Sequence, residues 1–251
     1  MSNKRYTLTD DHRKQMDPWA KTWLNNAKST SPMSDDEKMD CIKHVKDLYT
    51  TSDYKEPKHI LFVKSPFALV VAGGFCAAIA ELGDKSPVSI KDFINDLNAG
   101  KCFSDKFTPT LSYKNPYDIK ELAQRYGLGE LALDGCRMTS NMWNGGNQWS
   151  GWVSYLTFFR YVIGVNEVDY TQWDPYEQLA KKSGPRVMHE DFCIISDRYS
   201  TLKLDDQNRP HCEDGPFATW SDGSALYSQH NVRVPLWILD NPEKITVADI
   251  E

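Results

Sequence analysis

Apolar positions in the first half of the chain recur every three to four residues. Met39, Ile42, Val45 and Leu48 fall on one side of a helix, and Ser34 with Glu37 ahead of them forms a capping box. Asp17-Pro18 predicts another helix start, a cap followed by proline at the first helical position, with Trp19 and Trp23 one turn apart. The STSP around Ser31 and Pro32 is a short connector. HILFV (59–63) predicts a buried strand, and Ser65-Pro66 opens the apolar run SPFALVVAGGFCAAIA, closed by Lys64 and Glu81. That run falls short of the ~20 residues that span a bilayer, so it reads as a buried helix. Gly73-Gly74 inside it would let a neighbouring helix pack closely.

Ser89 caps SIKDFINDLNAG, which ends at Gly100. Residues 101–114 read as loop, and Asn115-Pro116 opens a helix stopped by Gly127. WNGGNQWSGWVSYLTFFRYVIG is a glycine-rich turn leading into a helix whose apolar face is Trp149, Trp152, Val153, Leu156, Phe159 and Ile163. Asp174-Pro175 starts a short helix ending at Gly184. The period then changes to short alternating runs: DFCIIS, TLKLD, PFATW, SALYSQ and VRVP, separated by DQN, SDG and HN turns. Helices first and strands later predict a single α+β domain: a helical N-terminal region (1–56), a mixed, mostly helical middle (57–184) and an antiparallel β-meander (185–251). TVADIE near the end reads as a helix start, either vestigial or cut from a longer protein.

Composition changes this picture little. The chain has 251 residues, 40% of them hydrophobic, and a formal net charge of −6, which argues against a general electrostatic grip on nucleic acid. Its six cysteines form no C-x-x-C pair. MSNKRYTLTDD at the start holds no apolar signal core, so a reducing cytoplasm and buried thiols are expected. No membrane partner, metal-ligand set, cofactor or oligomeric state is indicated.

The stretch RPHCEDGPFATWSDGSALYSQHNVRVPLWI carries an Arg-x-His-x-Glu-Asp-Gly-Pro run, an aromatic-x-Asp-Gly turn, a following tyrosine and a Val-Arg-Val-Pro strand. It resembles the signature of a bacterial and phage family of unassigned activity. VKSP ending at Pro66 and GGNQW from Gly145 extend the likeness, which covers the chain from about residue 57. Phe217 stands where that family has alanine. Asn231 stands where it has glycine, and asparagine is the next best residue for a left-handed turn. The resemblance implies architecture and little chemistry.

Four places carry candidate chemistry. In an extended strand His211 and Glu213 share one face and Cys212 and Asp214 the other, so His211 and Glu213, with Asp214 beside them, are candidate catalytic groups. The plainer reading is that Asp214-Gly215 makes a turn and His211 bonds backbone at the corner. Gly145 and Gly146 ahead of a helix expose backbone N–H groups that suit an anion. Trp143, Asn144, Asn147, Gln148 and Trp149 add amides and rings that suit a base or sugar. Ser65 could hold phosphate at a helix start, and Arg233 could meet an acidic ligand or pair with Asp222. The favoured reading is a binding or interaction module with an aromatic and amide-lined groove. It would take a nucleotide-like or other small polar ligand, or another protein. The alternative is a hydrolase or transferase acting on a nucleotide, nucleic acid or sugar, with His211 and Glu213 as its acid–base pair.

Overall fold

The computed structural model describes residues 6–102, 116–142, 145–240, 242–244 and 246. Residues 103–115 and 247–251, which carry most of the expected loop and of the TVADIE helix start, lie outside that set.

Helix α1 (Asp10–Ala27) begins at Thr9: the threonine side chain accepts the His12 N–H, and His12 Nδ1 accepts the Thr9 N–H. Pro18 is therefore interior to α1, not its first residue as Asp17-Pro18 suggested. The missing N–H frees a carbonyl on an exposed face, where water can reach it, so the helix continues. Helix α2 (Asp35–Thr51) starts at the Ser34–Glu37 capping box, as the sequence predicts.

Strand β1 (His59–Val63) leads through Ser65 into α3 (Pro66–Leu82), the most buried helix of the described structure. Ser65 caps it by accepting the Ala68 N–H at 3.0 Å. Helices α4 (Ile90–Asn98, capped by Ser89), α5 (Pro116–Arg125), α6 (Gly129–Met142), α7 (Ser150–Thr157) and α8 (Trp173–Lys182) follow. Pro66–Lys85 is long and apolar enough to cross a bilayer, but 72% of its most apolar window is buried inside the fold.

A three-stranded sheet divides the core. Strand β3 (Phe192–Ser196) lies between β1, to which it is parallel, and β2 (Arg186–Met188), to which it is antiparallel. Alternation sends Leu61, Val63, Phe192, Ile194 and Val187 toward α3, α4 and α6. Ile60, Phe62, Cys193 and Ile195 face α2 and α8 from the other side, against Val45, Tyr49 and Leu179. DFCIIS thus belongs to this central sheet and stands apart from the strands that follow. Beyond it, β4 (Thr201–Leu202), β5 (Ala218–Thr219) and β6 (Ala225–Leu226) run antiparallel in sequence order, and β7 (Ser228–Gln229) pairs with β8 (Val232–Arg233). The short helix α9 (Leu236–Asp240) comes next.

Helices α3 and α6 meet at glycines, main chain against main chain or against a short side chain. A Cβ on Gly73 would come within 2.5 Å of Thr139 Cγ2, one on Gly135 within 2.5 Å of the Gly74 carbonyl oxygen, and one on Gly74 would drive into the Cys136 backbone. Gly151, early in α7, faces open space. The same substitution should therefore act in opposite directions at the two places. Gly74→Ala is expected to destabilise by about 1–3 kcal/mol through overpacking, outweighing its gain in helix propensity. Gly151→Ala is expected to stabilise by about 0.5–1 kcal/mol, because the unfolded chain loses freedom. Urea unfolding of both variants checks the pair; equal signs would refute the backbone contact.

Candidate functional site

The glycine turn before α7 is held by close backbone approach. Gly145 and Gly146 have φ of 73° and 75°, the left-handed region where a side chain is strained. A Cβ on Gly146 would lie 2.7 Å from the Pro185 nitrogen, and one on Gly184 would lie 2.6 Å from the Ser196 carbonyl oxygen. Three glycines thus bring residues 145–147 onto 183–186, at the end of the central sheet. The Asn147 N–H donates to the Ser183 carbonyl at 2.8 Å, and Asn147 Nδ2 donates to the carbonyls of Asn26 and Ala27 at the end of α1. Asn147 is fully buried. Asn147 Oδ1 and Gln148 Nε2 are both buried, and neither has a hydrogen-bond partner among the described residues. Trp143 and Asn144 lie outside the described residues, and Trp149 is described only by its backbone, in the 3-10 turn Asn147–Trp149.

Sequence reasoning missed the residue under this turn. Arg186, opposite Ile195 in β2, sends its side chain between the sheet and α8 and is 1% exposed. Its guanidinium carbon sits 5.0 Å from the centre of the Tyr176 ring, and that ring lies 4.8 Å from Trp173. Nε and Nη1 have no hydrogen-bond partner among the described residues, and neither does Trp173 Nε1. Burial lowers the pKa of this guanidinium from its ordinary value. The only sequence signal was an arginine directly after Gly184-Pro185 with no acidic residue beside it.

Helix α7 also differs from expectation. A π-helical turn (Phe158–Ile163) follows it and turns Phe158 inward with Val153 and Thr157. Trp152 (70% exposed), Leu156 and Phe159 are left outside, although the sequence placed them on one apolar face with Val153.

The corner around His211 is a closed hydrogen-bonded unit. His230 and Asn231, with φ of 47° and 71°, form the left-handed turn between β7 and β8. The His230 N–H donates to His211 Nδ1 at 3.2 Å, and the two imidazoles stack 4.0 Å apart. His211 Nε2 lies 3.9 Å from the carboxylate of Glu213, which is 84% exposed. Cys212 is buried, takes a hydrogen bond from Lys203 Nζ and donates to Asp214 at 3.3 Å. That bond, then the Asp214 backbone and Lys203, hold the Asp214 carboxyl below its usual range. Asp205 is the hub of the corner. It accepts from Arg209 Nε at 2.7 Å and from the backbone of Gln207 and Arg209, and pairs with His230 Nδ1 at 3.0 Å. Among the described residues, no hydrogen bond, ion pair or ring contact joins His211 or Glu213 to the glycine turn.

Ser65 is fully buried, and its hydroxyl donates to Asp222 Oδ2 at 2.5 Å while accepting from Ser224 at 3.0 Å. Asp222 also accepts the Ser224 N–H, closing the Asp222-Gly223 turn. Its polar bonds are thus to Ser65 and Ser224, and Arg233 stands exposed on β8. A groove of about 470 Å³ opens elsewhere, lined by Lys58, His59, Ser86, Ser89 and Asp191, with Lys58 and Asp191 paired at 2.7 Å in its lining. Among the described residues, no three His, Cys, Asp or Glu side chains are grouped to hold a metal, and all six cysteines are free and buried.

The hydrogen bond from His230, followed by those from Arg209, holds the Asp205 carboxyl well below the usual carboxylate range. A carboxyl whose folded pKa is depressed stabilises above its unfolded pKa, and that contribution is lost as pH falls through the folded value. Asp205→Asn is therefore expected to lower Tm at pH 7. It should also flatten the loss of stability that the parent chain shows below about pH 4, the unfolded carboxylate range. Thermal melts at pH 7, 4 and 2.5 check both effects, and an unchanged acid profile would contradict the assignment.

Against this geometry, no family model, no curated protein and no solved structure matches the chain.

Proposed function

We propose that the chain is a ligand-binding module whose site is the glycine turn Gly145–Gln148. It takes a nucleotide-like or other small polar ligand against the turn's amides and nearby rings. The observation that carries this reading is the pair of buried amide atoms, Asn147 Oδ1 and Gln148 Nε2, left without partners among the described residues. Each such atom costs about 1–3 kcal/mol. One acceptor and one donor on consecutive residues suit the polar edge of a base or a sugar, and a ligand that meets both removes the cost. Trp173 and Tyr176 supply aromatic surface close by.

The acid–base alternative at His211 draws less support. His211 Nδ1 is taken by its own turn, and Glu213 stands mostly in solvent. In the same reading, the strands after residue 200 form a β-meander docked on the helical part. The Ser65–Asp222 hydrogen bond and the contact of Lys28 with Asn208 support that arrangement. A reducing cytoplasm and kinship with the bacterial and phage family belong to the proposal too, supported by six free thiols and the RPHCEDGPF signature.

Thermal shift with nucleosides, nucleotides and sugars tests the site. At least one class is expected to raise Tm. Gln148→Met removes Nε2 while keeping the side chain's length, and should cancel that rise without lowering the ligand-free Tm. No response to any class, or an undiminished one in Gln148→Met, would refute the binding site.

A further inference from the structure

Three charged side chains are buried among the described residues: Glu177, Arg186 and Arg198. Two have their counter-charges. Glu177 meets Lys181 Nζ at 2.5 Å and the Tyr161 hydroxyl at 3.2 Å, with Arg160 at 3.7 Å. Arg198 donates to Glu37 at 2.7 Å and to the Ser31 carbonyl at 2.7 Å. Arg186 is the exception. No carboxylate lies within ion-pair distance of it among the described residues, and two of its three nitrogens have no acceptor.

A guanidinium cannot escape burial by losing its proton at ordinary pH, so the usual outcome of burying one is an anion beside it. The neighbours inside the fold do not supply that charge. The Tyr176 ring offers a cation–π contact, weaker than an ion pair. The thiols of Cys41 and Cys193, also near the guanidinium, are pushed up by burial to about 11 and about 12 and stay protonated. Glu177, one residue beyond Tyr176, is already engaged. On the side of the turn, Gly145 lies against the guanidinium: a Cβ there would come within 2.8 Å of Cζ. A residue with no side chain is thus what covers the cation on the side of the turn that carries Asn147 and Gln148.

We infer that the ligand of the glycine turn carries an oxyanion, a carboxylate or phosphate group, and that Arg186 is the residue that binds it. This rests on the binding reading of the turn and names the charged part of what it takes. Arginine suits the task because its donors form a planar fork matched to carboxylate and phosphate oxygens. The ligand's polar remainder falls to the unpartnered amides, so charge and hydrogen-bonding groups are read by adjacent parts of one site.

The test uses the full chain in chloride buffers of matched ionic strength, titrated calorimetrically with inorganic phosphate, acetate, adenosine and adenosine monophosphate. Arg186→Met is compared with the parent chain. The parent is expected to bind phosphate or acetate with a saturable one-site isotherm, the stronger response telling phosphate from carboxylate. It should bind the monophosphate about 10- to 150-fold tighter than adenosine, the range for a hydrogen bond to a charged group. Arg186→Met should lose both effects yet melt no lower in chloride, because the uncompensated charge is gone. General stabilisation by phosphate at the surface survives in the variant and is subtracted. Binding of neither oxyanion, equal affinities for adenosine and its monophosphate, or full phosphate binding by Arg186→Met would each overturn the inference. If adenosine binds and the monophosphate gains nothing, the amide site stands and only the anion falls. If nothing binds, both fall. Should Arg186→Met not fold, the parent isotherms alone decide.

Discussion

Backbone meets backbone at the end of the central sheet, and most of what is distinctive in this molecule follows from that contact. Gly145, Gly146 and Gly184 have no Cβ, so residues 145–147 can lie directly on 183–186, and 184 on the end of β3. Any side chain at Gly146 or Gly184 would occupy space already filled by main-chain atoms. The approach fixes Asn147 under the end of α1, sets the direction in which α7 leaves, and roofs Arg186. The α3–α6 contact repeats the device with Gly73, Gly74 and Gly135, but there it joins apolar helices and leaves no polar atom stranded among the described residues.

What separates the two contacts is charge balance. The corner around His211 is richer in titratable groups than the glycine turn, and its members answer one another: Asp205 by Arg209 and His230, Cys212 by Lys203 and Asp214. Ser65 and Asp222 do the same where the C-terminal strands meet α3. A network already satisfied holds a fold together and has little left to offer a ligand. Beneath the turn, the unanswered atoms are Asn147 Oδ1, Gln148 Nε2 and two nitrogens of Arg186. Buried groups without partners are rare in folded proteins, and among the described residues most of them belong to the turn, Arg186 and Trp173, with Trp220 Nε1 the exception.

Much of the scaffold could be read from residue order because it is set by local chemistry. The caps at Ser34, Ser65 and Ser89, the glycine stops at Gly100 and Gly127, and the left-handed pair His230-Asn231 each act within four residues. Asp17-Pro18 misled because an exposed helix interior tolerates proline, while the operative cap, Thr9 with His12, lacks the usual glutamate. Helix α6 escaped notice for a different reason. Its inward face includes Gly135 and Thr139, which fit against Gly73 and Gly74, and such a face leaves a weak apolar period. The parallel pairing of β1 with β3 spans more than half the chain, and no local rule announces it. Arg186 was nearly invisible on the same grounds, its one hint being the missing acidic neighbour. Nothing in GPRVM tells a buried cation from a solvated one until the sheet and α8 close around it.

Whether the Arg186 guanidinium awaits an anion can be watched at its own Nε–H in a nitrogen–proton correlation spectrum. The resonance is assigned by its absence in Arg186→Met, and inorganic phosphate and then acetate are added at constant ionic strength. A protected Nε–H resonance that moves and saturates with one of them is expected. A resonance that stays in place through both titrations would contradict the anion site.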